Sequence, residues 1–187
     1  MTNPRTLLEF HELAPKKSLG QNFIHDTNML AKIVNSAEIM PEDTVVEIGP
    51  GTGAMTRILA EKARHVISVE IDESLRPVLA GELADYDNVL LIFEDILKVD
   101  LLHVVGTKAF VVVANVPYYI TSKIIRHLLD VHRRPRTIVL TIQYEVAERI
   151  CAEPGDMSLL AVSVQFYGKP QLITKVNPAV FWPRPDV

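Results

Sequence analysis

The segment 44–53, T-V-V-E-I-G-P-G-T-G, constrains the fold of this chain more than any other stretch. Its β-branched apolar run is typical of a buried parallel strand, and three glycines follow that run at alternate positions. Glycine accepts positive φ angles and lets a ligand approach the backbone closely. Residues 54–62 then place apolar side chains at helical spacing. The segment therefore predicts a strand, a ligand-binding turn and a helix whose N-terminus faces that turn.

The glycine turn does not by itself identify its ligand. Gly49, Gly51 and Ala54 also satisfy the dinucleotide pattern G-x-G-x-x-G/A, so a nicotinamide or flavin cofactor of an oxidoreductase is an alternative. Glu47 places a carboxylate just before the turn, and this carboxylate favours a cationic ligand group over a pyrophosphate. A sulfonium compound with an amino-acid tail meets that requirement.

The rest of the chain predicts an α/β fold. Apolar strand-like runs alternate with helical or loop segments, at 45–48, 66–71, 89–93, 109–114 and 137–142. This alternation predicts a mostly parallel sheet with helices on both faces. Asp26 is expected to cap a helix, and the local patterns further predict a helix at 143–150, a strand or a helix at 158–167, and a last strand at 172–176. We expect two parts, a partly flexible arm over 1–25 that ends in a defined turn and a main domain over 26–187.

Composition excludes several classes of protein. No apolar run approaches the ~20 residues of a membrane span, and the N-terminus lacks the apolar core of a signal peptide, so a cytoplasmic protein without a membrane partner is expected. The single cysteine, Cys151, excludes an internal disulfide. The six histidines show no metal-ligand spacing, so we expect no metal. A chain of 187 residues fits one domain of ordinary size, and we expect a monomer.

The charges are unevenly distributed. The net charge is −4, but residues 38–100 hold fourteen acids and five bases, so the remainder carries +5. The segment 123–136 contains five bases and one acid. A local basic face on an acidic protein is therefore expected, and such a face is a candidate for contacts with nucleic-acid phosphates. These bases are Lys123, Arg126, Arg133, Arg134 and Arg136.

Polar residues follow three neighbouring strands of the predicted sheet. In an open α/β sheet, ligands bind outside the carboxyl ends of the strands. There, residues 70–72 (E-I-D) can accept hydrogen bonds from ribose hydroxyls, and residues 94–96 (E-D-I) from the amino group of an adenine. Residues 115–118, N-V-P-Y, offer an amide oxygen, the carbonyl before a rigid proline and an aromatic ring. Two such acceptors can bind the amino group of a base and free its nitrogen lone pair, while the ring stacks on the base.

Seven short motifs follow one another along the chain: K-K-S-L-G-Q-N-F-I (16–24), V-E-I-G-P-G-T-G-A-M-T (46–56), V-E-I-D (69–72), E-D (94–95), N-V-P-Y (115–118), Q-Y-E-V-A-E-R-I (143–150) and F-W-P-R-P-D-V (181–187). The same motifs occur in the same order in ribosomal RNA adenine N6-dimethyltransferases, and the chain resembles the KsgA type of that family over residues 16–187. The resemblance implies a Rossmann-like class I methyltransferase fold that uses S-adenosylmethionine. It further implies dimethylation of two adjacent adenosines near the 3′ end of small-subunit rRNA in an immature ribosomal particle.

The resemblance also implies roles for individual residues. The catalytic set would be Asn115, Pro117, Tyr118 and Phe181, with the two aromatic rings stacking on the target base. The residues expected to bind S-adenosylmethionine are Gln21, Asn22, Ile24, Gly49, Gly51, Glu70, Ile71, Asp95, Ile96 and Asn115. With RNA as the expected substrate, Lys16 and Lys17 join the basic residues of 123–136 as candidate RNA contacts.

The chain departs from the family at Ile24, where leucine is usual, and at Gln143-Tyr144, where a glutamine-lysine pair is usual. Relatives continue past F-x-P-x-P-x-V into a small helical domain that we expect to be absent here. Two alternatives remain. One is an erythromycin-resistance methyltransferase acting on 23S rRNA, and the other is a non-catalytic ribosome-assembly factor with the same fold.

Overall fold

The computed structural model describes residues 3–106, 109–117 and 119–185, and within these ranges it contains eight α-helices and seven strands. The strands are β1 (Phe23–Ile24), β2 (Thr44–Ile48), β3 (His65–Glu70), β4 (Val89–Phe93), β5 (Phe110–Asn115), β6 (Thr137–Thr141) and β7 (Phe181–Trp182). The helices are α1 (Pro4–Phe10), α2 (Thr27–Asn35), α3 (Ala54–Ala60), α4 (Arg76–Glu82), α5 (Leu101–Val105), α6 (Thr121–Asp130), α7 (Tyr144–Ile150) and α8 (Leu159–Tyr167).

The central sheet has the order β4-β3-β2-β5-β6, and all its pairings are parallel. Every residue of β2, the strand predicted from the glycine segment, is buried. Alternate residues of the strands pack against α2 and α3 on one face and against α5 and α6 on the other. The prediction of a parallel sheet with helices on both faces is confirmed.

Most local predictions agree with the structure. Asp26 caps α2 by accepting a hydrogen bond from the Met29 amide at 2.7 Å. The ambiguous segment 158–167 is a helix, because Ser158 accepts a hydrogen bond from the Ala161 amide and starts α8. The prediction of a strand at 172–176 is wrong, since no described strand pairs with this segment. A strand without a partner cannot satisfy its backbone hydrogen bonds.

The N-terminal region is more ordered than its sequence predicts. Residues 4–10 form α1, which is capped by Asn3, and Leu7 and Leu8 are buried against residues of α4. Residues 23–24 then form β1, which pairs antiparallel with β7 and so joins the N-terminal region to the end of the described chain. These residues thus have regular structure and packing contacts within the segment that the sequence predicts to be a partly flexible arm. None of the helices in the described ranges is long and apolar enough to cross a bilayer.

Candidate active site at the carboxyl ends of the strands

A cleft opens where the strands of the central sheet end, and it encloses about 830 Å³ of space that is partly open to solvent. The walls come from residues 19–23, from the end of β2 and its glycine turn, and from the residues that follow β3, β4 and β5. Phe181 of β7 completes the lining.

Most of the predicted site residues meet in this cleft. Those that line it are Gln21, Asn22, Gly49, Gly51, Glu70, Ile71, Asp95, Ile96, Asn115, Pro117 and Phe181. Ile24 lies instead in a small neighbouring pocket on the other side of the glycine turn. Tyr118 lies outside the described residues. The individual roles of these residues remain predictions.

Glu70 lies beneath the cleft with a carboxylate that is 5% exposed. Its two oxygens accept hydrogen bonds from the Gly51 amide at 3.1 Å and from the Asp72 amide at 2.9 Å. Burial raises the pKa of Glu70, and these backbone bonds oppose the rise. A carboxylate has about four lone-pair positions, so these bonds leave acceptor capacity for a ligand hydroxyl.

The glycine turn has the conformation that its sequence predicts. Gly49, Gly51 and Gly53 have φ angles of 71°, 59° and 82°. A Cβ at Gly51 would lie 2.8 Å from the Phe23 ring, so no larger residue fits without moving that ring. The turn thus provides a concave backbone surface, and Phe23 of the N-terminal region covers its other side.

Asn115 ends β5 at the wall of the cleft. Its Nδ2 donates a hydrogen bond to the Asn22 carbonyl at 2.9 Å. This bond fixes the amide and leaves Oδ1 as its acceptor atom. The Pro117 carbonyl accepts hydrogen bonds from the Ile120 amide and the Thr121 hydroxyl, both at 3.2 Å.

Asp95 also serves as a helix cap. Its Oδ1 accepts a hydrogen bond from the Leu97 amide at 3.0 Å and starts a 3₁₀ turn over Ile96–Lys98. The second carboxylate oxygen remains for a ligand donor, so the capping role and the predicted adenine contact are compatible.

Glu47 does not line the cleft, which contradicts the expectation that it faces a cationic ligand. Successive residues of a strand point to opposite faces, and Glu47 points toward α3. There its Oε2 accepts hydrogen bonds from Thr56 at 2.6 Å and Ser68 at 2.7 Å, while Oε1 has no partner among the described residues. Burial, as the largest cause, raises the pKa of Glu47 to about 7.

The sequence analysis missed the role of Asp72. This buried carboxylate accepts hydrogen bonds from Lys16 Nζ at 2.5 Å and Gln21 Nε2 at 2.6 Å. Burial alone would raise the pKa of Asp72, but the bonds from Lys16, Ser74 and Gln21 outweigh burial and lower it. The only sequence signal was the last position of V-E-I-D, and the sequence analysis considered that acid only within E-I-D, as a possible acceptor for ribose hydroxyls. Lys16, which was predicted to contact RNA, is paired with this carboxylate, and its RNA contact stays a prediction.

Tyr119 was also missed, although it borders the N-V-P-Y motif. Its side chain lines the cleft and is 61% exposed. The ring lies next to Gly20, where an added Cβ would be 3.7 Å from Tyr119 Cε1. An exposed aromatic ring at the mouth of a cleft can contact a planar ligand.

The structure divides the basic residues that were predicted to form one face. Lys123 lies in the first turn of α6, near Ile120 and Ile124 of the cleft wall. Arg133, Arg134 and Arg136 lie beyond the other end of α6, where β6 begins, so α6 separates them from the cleft.

Two of these arginines already have protein partners. Arg136 donates to Asp43 Oδ2 at 2.6 Å, and Arg134 donates to the Leu129 carbonyl at 3.1 Å and covers the Tyr167 ring. Among the residues described, no group of three His, Cys, Asp or Glu side chains could hold a metal ion.

The sheet order, the glycine turn after the central strand and the acids after β3 and β4 define a Rossmann-like fold of the class I methyltransferase type. The chain is similar in structure to the 23S rRNA methyltransferase ErmE, with a TM-score of 0.79 and 31% identity over 88% of this chain and 66% of that chain. The family described as ribosomal RNA adenine dimethylase matches residues 13–187, so the chain belongs to that family.

Curated relatives agree with this assignment. The chain is 44% identical to ribosomal RNA small subunit methyltransferase A of Alkaliphilus metalliredigens, over 98% of this chain and 66% of that protein. It is 48% identical to the protein of the same name from Lachnoclostridium phytofermentans, over 92% of this chain and 62% of that protein. The chain thus spans less than two thirds of the length of these relatives.

Proposed function

We propose that this chain is the catalytic part of an S-adenosylmethionine-dependent methyltransferase that dimethylates N6 of two adjacent adenosines in small-subunit rRNA. The observation that carries the proposal is the fixed amide of Asn115 at the wall of the cleft. Family membership supports the same reaction class. We further propose that the protein acts as a cytoplasmic monomer on an immature ribosomal particle.

The residues of the cleft fit S-adenosylmethionine. The glycine turn allows a ligand to lie against the backbone near Gly49 and Gly51. Glu70 has free acceptor positions for the two ribose hydroxyls, and Asp95 has one for the amino group of the cofactor's adenine. When bound, S-adenosylmethionine supplies an electrophilic methyl group on its sulfonium. Gln21 and Asn22 would cover that end of the cofactor.

Asn115 would orient the nucleophile. Adenine N6 is a weak nucleophile because its lone pair is delocalised into the ring, and acceptors for both of its N–H groups favour a pyramidal nitrogen. Asn115 Oδ1 provides one acceptor. We assign the second to the Val116 carbonyl, because the Pro117 carbonyl already accepts two hydrogen bonds. Phe181 and the predicted Tyr118 would stack on a base that has been turned out of its helix.

Methylation of defined RNA particles tests the proposed reaction. Small and large ribosomal subunits that lack the relevant methyl groups are incubated with the protein and radiolabelled S-adenosylmethionine, and the labelled nucleoside is identified by mass spectrometry. We expect N6,N6-dimethyladenosine in 16S rRNA. Label in 23S rRNA alone would identify an erythromycin-resistance type of activity and reject the proposed substrate. Cofactor binding without methylation of either particle would favour the assembly-factor alternative.

A further inference from the structure

Residues 16–22, here called the cleft segment, cross the central sheet at the carboxyl ends of its strands. Gln21 is bonded to Asp72, which follows β3, and Asn22 is bonded to Asn115 at the end of β5. The sheet order places β2 between β3 and β5, so the cleft segment passes over the end of β2 and its glycine turn. The segment forms one wall of the cleft, and any ligand in the cleft lies beneath or beside it.

The attachment at the β5 side consists of one neutral hydrogen bond and close packing. The Asn115 amide donates to the Asn22 carbonyl at 2.9 Å. Gly20 approaches Pro117 so closely that a Cβ would lie 3.3 Å from the Pro117 Cβ. Such contacts hold the position of the backbone but carry no charge.

The attachment at the β3 side is centred on the carboxylate of Asp72, whose side chain is 3% exposed. Oδ1 accepts hydrogen bonds from Lys16 Nζ, from the Ser74 amide at 3.0 Å and from the Ser74 hydroxyl at 2.6 Å. Oδ2 accepts the bond from Gln21 Nε2. The other end of the Gln21 amide accepts a bond from the Lys16 backbone N–H at 2.8 Å, so the three residues form a closed ring. Hydrogen bonds to an ionised group are stronger than neutral ones.

Asp72 also contacts the residue predicted to bind the ribose. Its backbone N–H donates to Glu70 Oε1 at 2.9 Å, and the Gly51 amide occupies the other Glu70 oxygen. One residue therefore joins the cleft segment to the carboxylate beneath the cleft. A displacement of Asp72 would move both the wall and the floor of the cleft.

We propose that Asp72 is a positioning residue whose carboxylate holds the cleft segment closed over the bound ligand and thereby sets the ligand's dissociation rate. The identity of that ligand, S-adenosylmethionine, rests on the proposed function. The closure itself rests on the contacts of Lys16 and Gln21 with Asp72 and applies to the free protein as well.

Two substitutions remove the ion pair between Lys16 and Asp72, one at each of its two residues. Asp72→Asn keeps an acceptor for the Ser74 amide but places an NH₂ group where Gln21 Nε2 now donates. Lys16→Met keeps the length of the side chain and removes its charge. Lys16→Arg retains the charge and serves as the rescue variant. The matched control is Glu73→Gln, because Glu73 is the next residue, carries the same charge and pairs with Arg76 at the surface instead of the cleft segment.

Stopped-flow fluorescence measures the rates. The single tryptophan, Trp182, stacks on Phe23 at a ring distance of 6.4 Å, and Phe23 lines the cleft, so we expect the Trp182 emission to change when a ligand binds. We expect Asp72→Asn and Lys16→Met each to accelerate dissociation of S-adenosylmethionine about 10- to 100-fold. The association rate should change less. The double variant should resemble the more severe single variant, since both act on one contact. Lys16→Arg should restore slow dissociation, and Glu73→Gln should behave as the wild type.

Amide hydrogen exchange of the free protein provides the second measurement. Exchange over residues 16–22 should be faster in Asp72→Asn than in Glu73→Gln, with the strands of the central sheet unchanged. Unchanged dissociation rates together with unchanged exchange over 16–22 would overturn the proposal. If the wild type binds no S-adenosylmethionine, the proposed cofactor is wrong, and the exchange experiment alone then decides whether Asp72 holds the segment.

Discussion

At the scale of single residues, the three buried carboxylates near the cleft have different environments and different consequences. Glu70 accepts two backbone hydrogen bonds, Asp72 is paired with the charged Lys16, and Glu47 accepts hydrogen bonds from the Thr56 and Ser68 hydroxyl groups. The pKa of Asp72 is lowered by its hydrogen bonds, whereas burial raises the pKa of both Glu70 and Glu47. We therefore expect replacement of each carboxylate to have a different effect on ligand binding or stability.

Glu70→Ala should weaken binding of S-adenosylmethionine by about 1.5–3 kcal/mol, because two hydrogen bonds from ribose to a charged group would be lost. Isothermal titration calorimetry measures the affinity, and Glu73→Ala provides the control for loss of a nearby exposed acid. Unchanged affinity in a folded Glu70→Ala protein would remove Glu70 from the binding site.

Asn115→Ala should slow methyl transfer about 10²–10³-fold, since its Oδ1 would act chiefly on N6 in the transition state. We also expect a smaller loss of cofactor affinity, because in this variant the Asn22 carbonyl no longer accepts a hydrogen bond from Asn115 Nδ2. Single-turnover methylation and calorimetry on the same variant separate the two effects. A variant that transfers methyl groups at the normal rate would exclude this role, whatever its affinity for the cofactor.

Glu47 should make folding stability depend on pH. Its pKa is 4.5 ordinarily and about 7 in the folded protein, so the folded state binds the proton more tightly. The resulting stabilisation is fully present below pH 4.5 and is lost as the pH rises toward 7, by roughly 3 kcal/mol. Glu47→Gln should lack this component. Urea unfolding of both proteins at pH 5 and pH 8 tests it, and an identical pH dependence of the two would contradict it.

At the scale of elements, α1 and the β1–β7 pair connect the N-terminal region to the cleft. Leu8 of α1 is 1% exposed and belongs to the same apolar cluster as Leu79 of α4 and Phe23 of β1. Phe23 in turn covers Gly51. The N-terminal region is therefore part of the core that supports the glycine turn.

Leu8→Ala should lower the free energy of unfolding by about 2–5 kcal/mol, as for other large-to-small substitutions in a core. Phe10→Ala is the matched control on the same helix, because Phe10 is 81% exposed and its loss should change stability by less than about 0.5 kcal/mol. Chemical denaturation distinguishes the two. Equal, small effects would mean that α1 does not pack on the core in solution.

At the scale of the whole molecule, the basic residues lie in two places, beside the cleft at the carboxyl ends of the strands and beyond the far end of α6. Lys17 and Lys123 are exposed and close in sequence to the cleft-lining residues Leu19 and Ile124, whereas Arg133 lies beyond the far end of α6. RNA whose adenine enters the cleft would therefore meet the first two residues. Arg136 is tied to Asp43, so its replacement should affect stability more than RNA binding.

Replacing Lys17 and Lys123 together with alanine should make the salt dependence of RNA binding shallower by about one unit per lost phosphate contact. Affinity for S-adenosylmethionine should stay unchanged. Arg133→Ala is the control, and we expect its salt slope to equal that of the wild type. Binding of a 16S rRNA 3′ fragment at several salt concentrations measures the slopes. Identical slopes for all three proteins would show that neither lysine contacts RNA.

The central sheet, the glycine turn and the location of the candidate site could all be predicted from the amino-acid sequence. Those features arise from short-range patterns: β-branched runs, glycines at 49, 51 and 53, and polar residues directly after strands. Parallel strands carry their carboxyl ends to one edge, so residues 70, 95 and 115 had to meet there.

Contacts between segments that are distant in the chain could not be predicted from the sequence and became visible in the folded structure. The bond between Lys16 and Asp72 joins residues 56 positions apart, and no local pattern encodes such a pair. Side chains alternate between the two faces of β2, and this alternation directs Glu47 toward α3 and away from the cleft. Residues 172–176 form no strand, because no described strand pairs with them. The basic residues of 123–136 lie in one short segment, yet α6 separates Lys123 at its first turn from Arg133, Arg134 and Arg136 beyond its other end. Burial and pairing across the fold therefore determined which of these charges are free to bind a ligand.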